Sequence, residues 1–232
     1  MIQCPNCGVE NGDLAVICLR CGGFLQARVP TLDLFSTVWQ TIESPGRAMR
    51  RIALAVHKNY AIFLSASYGI SLAFFFLWLL NVGETFENLL YLIFAGIVMG
   101  PILGIVHVSL ICLVGVLVGR FLGVHMQFVN LLGVAAYATV PVILSLVFIF
   151  PIELMTFGLF MFALNPSPFV IKPAPYVIFL ILDGATVLWS VLLFFVGVRT
   201  IGNLRPMRAA LVVILAVGVS FFVLFGLVIL VV

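Results

Sequence analysis

Five long apolar runs, two Cys-x-x-Cys pairs near the start and a near absence of charge predict an all-α polytopic membrane protein. The expected architecture is five transmembrane helices, preceded by a small cysteine-clamped module with a short β-hairpin and by an amphipathic juxtamembrane helix. The 232 residues are 64% hydrophobic and 8% charged, with a mean hydropathy of +1.33. A water-soluble domain is about half apolar and about a quarter charged. This chain has too little polar surface to enclose such a particle, so lipid must be its principal solvent. The same figures exclude a disordered chain.

Four of the five cysteines fall in the first 21 residues, as Cys4-Pro5-Asn6-Cys7-Gly8 and Cys18-Leu19-Arg20-Cys21-Gly22, with ten residues between the pairs. Each pair can wrap backbone amides around one metal, and two pairs complete a tetrahedral thiolate cage. One structural Zn2+ on Cys4, Cys7, Cys18 and Cys21 is therefore expected, because a closed four-thiolate shell leaves no open position for catalysis. About twenty residues cannot fold by burial alone, so the ion would supply the folding energy of a ribbon over residues 1–25. Gly8 and Gly22 stand where each knuckle needs a positive φ. Asn11-Gly12 is the expected hairpin turn. The alternative, two disulfides, requires an oxidising compartment and is opposed by the topology below. Cys112, in an apolar run, reads as a small packing residue.

The spans are expected near residues 60–80, 89–119, 129–152, 176–198 and 209–232, which contain one charge among them, Asp183. About 20 apolar residues cross a bilayer as a helix, and continuous runs without alternation exclude a barrel. At about 1.5 Å per residue the second run is longer than a bilayer core needs. It either tilts and projects or breaks at Pro101. Residues 154–164 are apolar but too short to cross, and are expected as a separate interfacial or re-entrant piece.

Loop charge sets the orientation. Arg20, Arg28, Arg47, Arg50, Arg51 and Lys58 precede the first span; Arg120 follows the second; Arg199, Arg205 and Arg208 lie between the fourth and fifth. Only Lys172 falls on the other side, with Glu84, Glu87 and Glu153. The positive-inside rule then puts the N-terminus in the cytoplasm and the C-terminus outside. No apolar signal-peptide core is visible in the first 30 residues, so the first span is expected to direct insertion.

Residues 26–58 read as a linker with amphipathic interfacial helices. Leu32, Phe35, Trp39 and Ile42 recur at helical spacing; after a break at Ser44-Pro45-Gly46, Met49, Ile52, Ala53 and Val56 repeat it. Arg47, Arg50 and Arg51 lie opposite, as a basic patch for anionic headgroups. The other reading is an ordinary helix packed on the cytoplasmic end of the bundle.

Within the membrane, Gly96, Gly100 and Gly104 run at four-residue spacing and form a helix-packing face. That face serves either a homo-oligomer or neighbouring spans of the same chain. Asp183 is the one intramembrane charge, and such residues mark functional sites. His107, at a similar depth if the crossing starts at Pro101, is its expected partner. No catalytic motif is present, so no enzyme activity is expected, and a net charge of +3 is too small to suggest nucleic acid.

Several motifs occur in order: Ser44-Pro45-Gly46-Arg47, a glycine-rich second span ending Gly119-Arg120-Phe121-Leu122-Gly123, Ala136-Tyr137-Ala138-Thr139-Val140-Pro141, then Trp189 and Val196-Gly197-Val198. Over roughly residues 30–232 the chain resembles the Yip1 domain family. That resemblance implies a five-helix bundle with a cytoplasmic N-terminus, in agreement with the charge count. Eukaryotic members look like trafficking factors that bind Rab-type GTPases, but the Asp-Leu-Tyr-Gly-Pro sequence of some of them is absent here. A zinc ribbon fused to such a bundle is more similar to prokaryotic members, which implies a prokaryotic plasma membrane. The expected function is a scaffold or adaptor whose ribbon engages a cytoplasmic or membrane protein partner. The alternative is a small transporter or channel around Asp183 and His107.

Overall fold

The computed structural model describes residues 2–12, 15, 17–23, 25, 31–86 and 88–231. Arg28 and Glu87, counted in the loop charges, lie outside the described residues. Strands β1 (Ile2–Gln3) and β2 (Glu10–Asn11) pair antiparallel, with Ile2 opposite Asn11 and Gln3 opposite Glu10. The first cysteine knuckle is thus the hairpin turn. Asn11 is a strand residue, which corrects the expected Asn11-Gly12 turn; the Gly12 carbonyl accepts from Ala15 N–H at 3.0 Å.

Two short helices follow, α1 (Leu34–Glu43) and α2 (Pro45–Leu54). Asp33 caps α1 by accepting from Ser36 N–H at 2.8 Å, and Pro45 opens α2 where its missing N–H is not needed. The spans are α3 (Ala61–Leu79), α4 (Leu89–Phe121), a third span in three helical pieces, α9 (Pro173–Gly202) and α10 (Pro206–Val231). The third span comprises α5 (Phe128–Ala138), α6 (Val140–Phe148) and α7 (Phe150–Phe157), then a 3-10 turn to Phe162. A single turn, α8 (Pro168–Ile171), precedes α9. The five apolar helical segments are each long enough to cross a membrane.

Two differences from expectation have a backbone cause. α4 runs unbroken through Pro101: one lost hydrogen bond to Ile97 is tolerated in a helix of 33 residues. The third span is divided instead, because Val140-Pro141 and Phe150-Pro151 each open a fresh helix after Thr139 and Ile149. It therefore continues through the stretch expected as a separate piece, to Phe162.

α4 and α9 both end in Schellman-type caps. Gly123 has φ +77°, with Val124 N–H donating to Gly119 O at 2.8 Å. At the end of α9, Asn203 has φ +47° and Leu204 N–H donates to Arg199 O.

The chain forms two compact units. The first comprises residues 1–62, 107–138 and 191–232. Its core includes Met49 and Ile52 of α2, Leu131 and Val134 of α5, Val198 of α9 and Val212 of α10, all fully buried. The second unit comprises residues 63–106 and 139–190. Its core is aromatic: the Phe74 ring lies tilted against Phe150 at 4.3 Å and against Phe162 at 6.2 Å between centroids.

The juxtamembrane pair splits the two readings of its apolar stripes. α2 turns Met49, Ile52 and Ala53 into the protein, against α5, so its apolar face is not available to lipid. α1 does the reverse: Thr37 and Thr41 are buried, while Phe35, Trp39 and Ile42 are exposed. Thr41 Oγ1 satisfies itself on Thr37 O at 2.8 Å.

Candidate functional site

The four N-terminal cysteines converge. All four Sγ atoms lie within 4.8 Å of one another, and all four cysteines are free. Cys4 and Cys21 sulfurs stand 3.5 Å apart, and Cys7 and Cys18 sulfurs 3.7 Å. Four sulfurs held about 2.3 Å from a tetrahedral zinc would stand about 3.8 Å from each other. The spacing fits a metal ion. Gly8 and Gly22 have φ +74° and +70°, as the knuckles require. Cys4 and Cys18 are buried with Leu25 in a small cluster.

Asn11 was missed by motif reading and ties the site together. Its Nδ2 donates to Val9 O at 2.8 Å and to Cys18 Sγ at 3.5 Å, while its Oδ1 accepts from Leu19 N–H. Burial opposes ionisation of Cys18, but the backbone N–H groups of Cys21 and Arg20 and the Asn11 amide outweigh it, bringing this thiol down to about 6. Burial pushes Cys7 and Cys21 up.

The ribbon is fastened to the first unit's helices. Asn130 of α5 donates from Nδ2 to Pro5 O. With its amide oriented to satisfy both neighbours, Gln127 also donates to Pro5 O, at 2.8 Å, and accepts from Gly8 N–H at 3.0 Å. Of the basic patch, Arg47 and Arg50 are exposed and Arg51 half-buried. Arg50 lines a cavity of about 430 Å3 with Arg199 and Asn203 of α9's end and with Asn6 and Gly22 of the ribbon. Leu19, on the second knuckle, is 95% exposed.

Lys58 closes α2. Its ammonium donates to Ile52 O at 2.6 Å, Ala53 O at 2.9 Å and Ala55 O at 2.7 Å, adding to the Ala55 N–H that reaches Ile52 O at the end of the helix. Burial brings Lys58 down to about 8. Tyr137 OH donates to Asn59 O at 3.1 Å, pinning the same segment.

In the second unit, Asp183 Oδ1 accepts from Ser145 Oγ at 2.5 Å, and Asp183 faces Glu153 within hydrogen-bonding reach. In the first unit, His107 is 3% exposed and its Nε2 meets Ser220 Oγ at 3.3 Å. Asp183 and His107 thus belong to separate units, and each has a hydroxyl partner in its own. Cys112 is fully buried. Gly96, Gly100 and Gly104 of α4 meet α3 of the same chain. A Cβ on Gly104 would overlap the backbone of Gly69 and Ser65, and one on Gly100 would stand 2.5 Å from Ile70 Cα. Gly96 lies under the Phe74 ring.

The motif residues occupy structural junctions: Ser44 ends α1 and begins α2, Gly123 stops α4, Tyr137 holds the segment before α3, and Gly197 lies against Val134. No curated protein and no solved structure matches the chain. The Yip1 domain model matches residues 39–228, from within α1 to the last turn of α10, and the chain belongs to the Yip1 domain family as an integral membrane protein with a cysteine cluster at its N-terminus.

Proposed function

We propose that this protein is a non-enzymatic membrane scaffold or adaptor whose N-terminal ribbon, closed on one structural Zn2+, presents a contact surface to a protein partner in the cytoplasm. The observation that carries the reading is Leu19: an apolar side chain 95% exposed, on a backbone held by Asn11. A large apolar group fixed in water on a rigid support suits an anchor for another protein. Asn130 supports the reading by joining the ribbon to the bundle through Pro5, so that a captured partner would be held close to the bilayer. The exposed Phe35, Trp39 and Ile42 of α1 suit a helix lying in the headgroup region. The loop arginines suit a cytoplasmic N-terminus and an outer C-terminus, and the cysteine cluster joined to a Yip1 domain suits a prokaryotic plasma membrane as the setting.

The test is a photo-crosslinker placed at position 19 in cells, with Cys18→Ser as the metal-blind control. A discrete protein adduct that disappears in the control supports the adaptor role. Adducts to lipid alone, or adducts unchanged by Cys18→Ser, overturn it. A membrane-impermeant thiol label that reached Cys4 from outside intact cells would overturn the orientation.

A further inference from the structure

The second unit carries a half-open cavity of about 420 Å3, within the range of small-molecule sites. Its walls are aromatic, with Phe74, Trp78, Phe150 and Tyr176 prominent, and its polar groups are few: Ser71, Ser145, Glu153, Asp183 and Thr186. Among the described residues no Lys, Arg or His lines it. Glu153 is only 2% exposed, yet its Oε1 has no hydrogen-bond partner among the described residues, and Ser71 Oγ is likewise buried and unmet. Both residues line the cavity, so a donor entering it would meet these two atoms.

We propose that this cavity binds a cationic amphiphile: an apolar tail carrying a primary ammonium head, with the head between Glu153 and Asp183.

Each alternative class meets an obstacle on the same residues. An anion would face two carboxyl groups with no cation to receive it. A neutral apolar molecule would leave Glu153 Oε1 and Ser71 Oγ unmet. A hard metal cation wants six or more oxygens, and the wall is mostly aromatic ring. A zwitterionic phospholipid would bring a phosphate into a cavity without a basic residue. A primary ammonium supplies three N–H donors, a charge opposite to the carboxylate, and attraction to the faces of Trp78 and Tyr176. The tail takes the remaining apolar wall. Beside Asp183, a Cβ on Gly184 would meet nothing within 4 Å, which leaves open space next to the acid.

The test uses the full chain in phosphatidylcholine nanodiscs, with radiolabelled dodecylamine as the probe and empty nanodiscs as the partition background. Saturable binding near one per chain is expected, weakened tenfold or more by Glu153→Gln and by Asp183→Asn. Gly184→Phe, which leaves both acids in place, should also weaken it. Dodecanol and dodecyl sulfate should compete poorly, and dodecyltrimethylammonium, which lacks N–H donors, less well than dodecylamine. Variants are compared only after their melting temperature matches the parent protein. Binding no greater than in empty nanodiscs overturns the proposal, as does equal competition by dodecyl sulfate. Affinity unchanged in both Glu153→Gln and Asp183→Asn overturns it as well.

Discussion

The Asn11 amide donates to the Cys18 sulfur at 3.5 Å, so a strand residue beside the first knuckle orients a ligand of the second. The same side chain accepts from Leu19 N–H, which couples the metal cage to the exposed apolar tip. Outer hydrogen bonds of this kind tune both ligand basicity and geometry. Asn11→Ala should therefore weaken Zn2+ binding about 10–100-fold, read by competition with a chromogenic chelator on the purified protein. An affinity equal to the parent's would remove Asn11 from the account.

Removing the metal should unfold the ribbon and spare the helices. The cysteine module buries only a small cluster around Cys4, Cys18 and Leu25, so its folding depends on the ion. The spans are held by lipid and by their own packing. After chelation, limited proteolysis should cut within residues 1–30 while far-ultraviolet circular dichroism changes little. Acid should act in the same direction, because thiols must lose their protons to bind the ion. A ribbon that resists protease after complete metal loss would contradict this dependence.

Much of this architecture is written in composition and spacing. Five apolar runs gave five spans, and the two cysteine pairs gave one cluster. What linear spacing does not encode is which surface a helical stripe meets. Phe35, Trp39 and Ile42 share a face by periodicity, and so do Met49, Ile52 and Ala53. Yet the first trio is exposed and the second buried, a difference set by tertiary packing against α5. Asp183 was conspicuous as a lone acid, but position along one helix does not name the residues beside it. Ser145 and Glu153 come from the third span, whose helices restart at Val140 and Phe150, ahead of Pro141 and Pro151.

Lys58 gives a pH signature. Its folded value, about 8, lies below the ordinary lysine value of 10.5, so the unfolded chain binds more protons between these limits. Stability contributed by this group should then rise with pH across roughly 8 to 10.5. The rise is bounded by about 3 kcal/mol, at about 1.4 kcal/mol per pH unit of displacement. Lys58→Met should be less stable at neutral pH, because three carbonyls lose the ammonium as a donor, and should lack the rise. Thermal melts of both proteins across this range decide the matter; parallel pH profiles would exclude the assignment.

Gly197 and Val134 make a size-matched pair at the crossing of α9 and α5. A Cβ on Gly197 would overlap Val134 Cγ1 and stand 3.4 Å from Met49 Sδ. All three residues lie in the buried core of the first unit, where rearrangement is limited by close packing. Gly197→Val should therefore destabilise by about 1–3 kcal/mol through overpacking, seen as a lower melting temperature in detergent. Val134→Ala alone should destabilise too, by opening space beside Met49. If the crossing depends on this one contact, the double variant should recover much of the loss, because the added atoms of one residue fill the space vacated by the other. A double variant whose loss equals the sum of the two single losses would show that the pair is not coupled, and that Gly197 serves a purpose other than close approach.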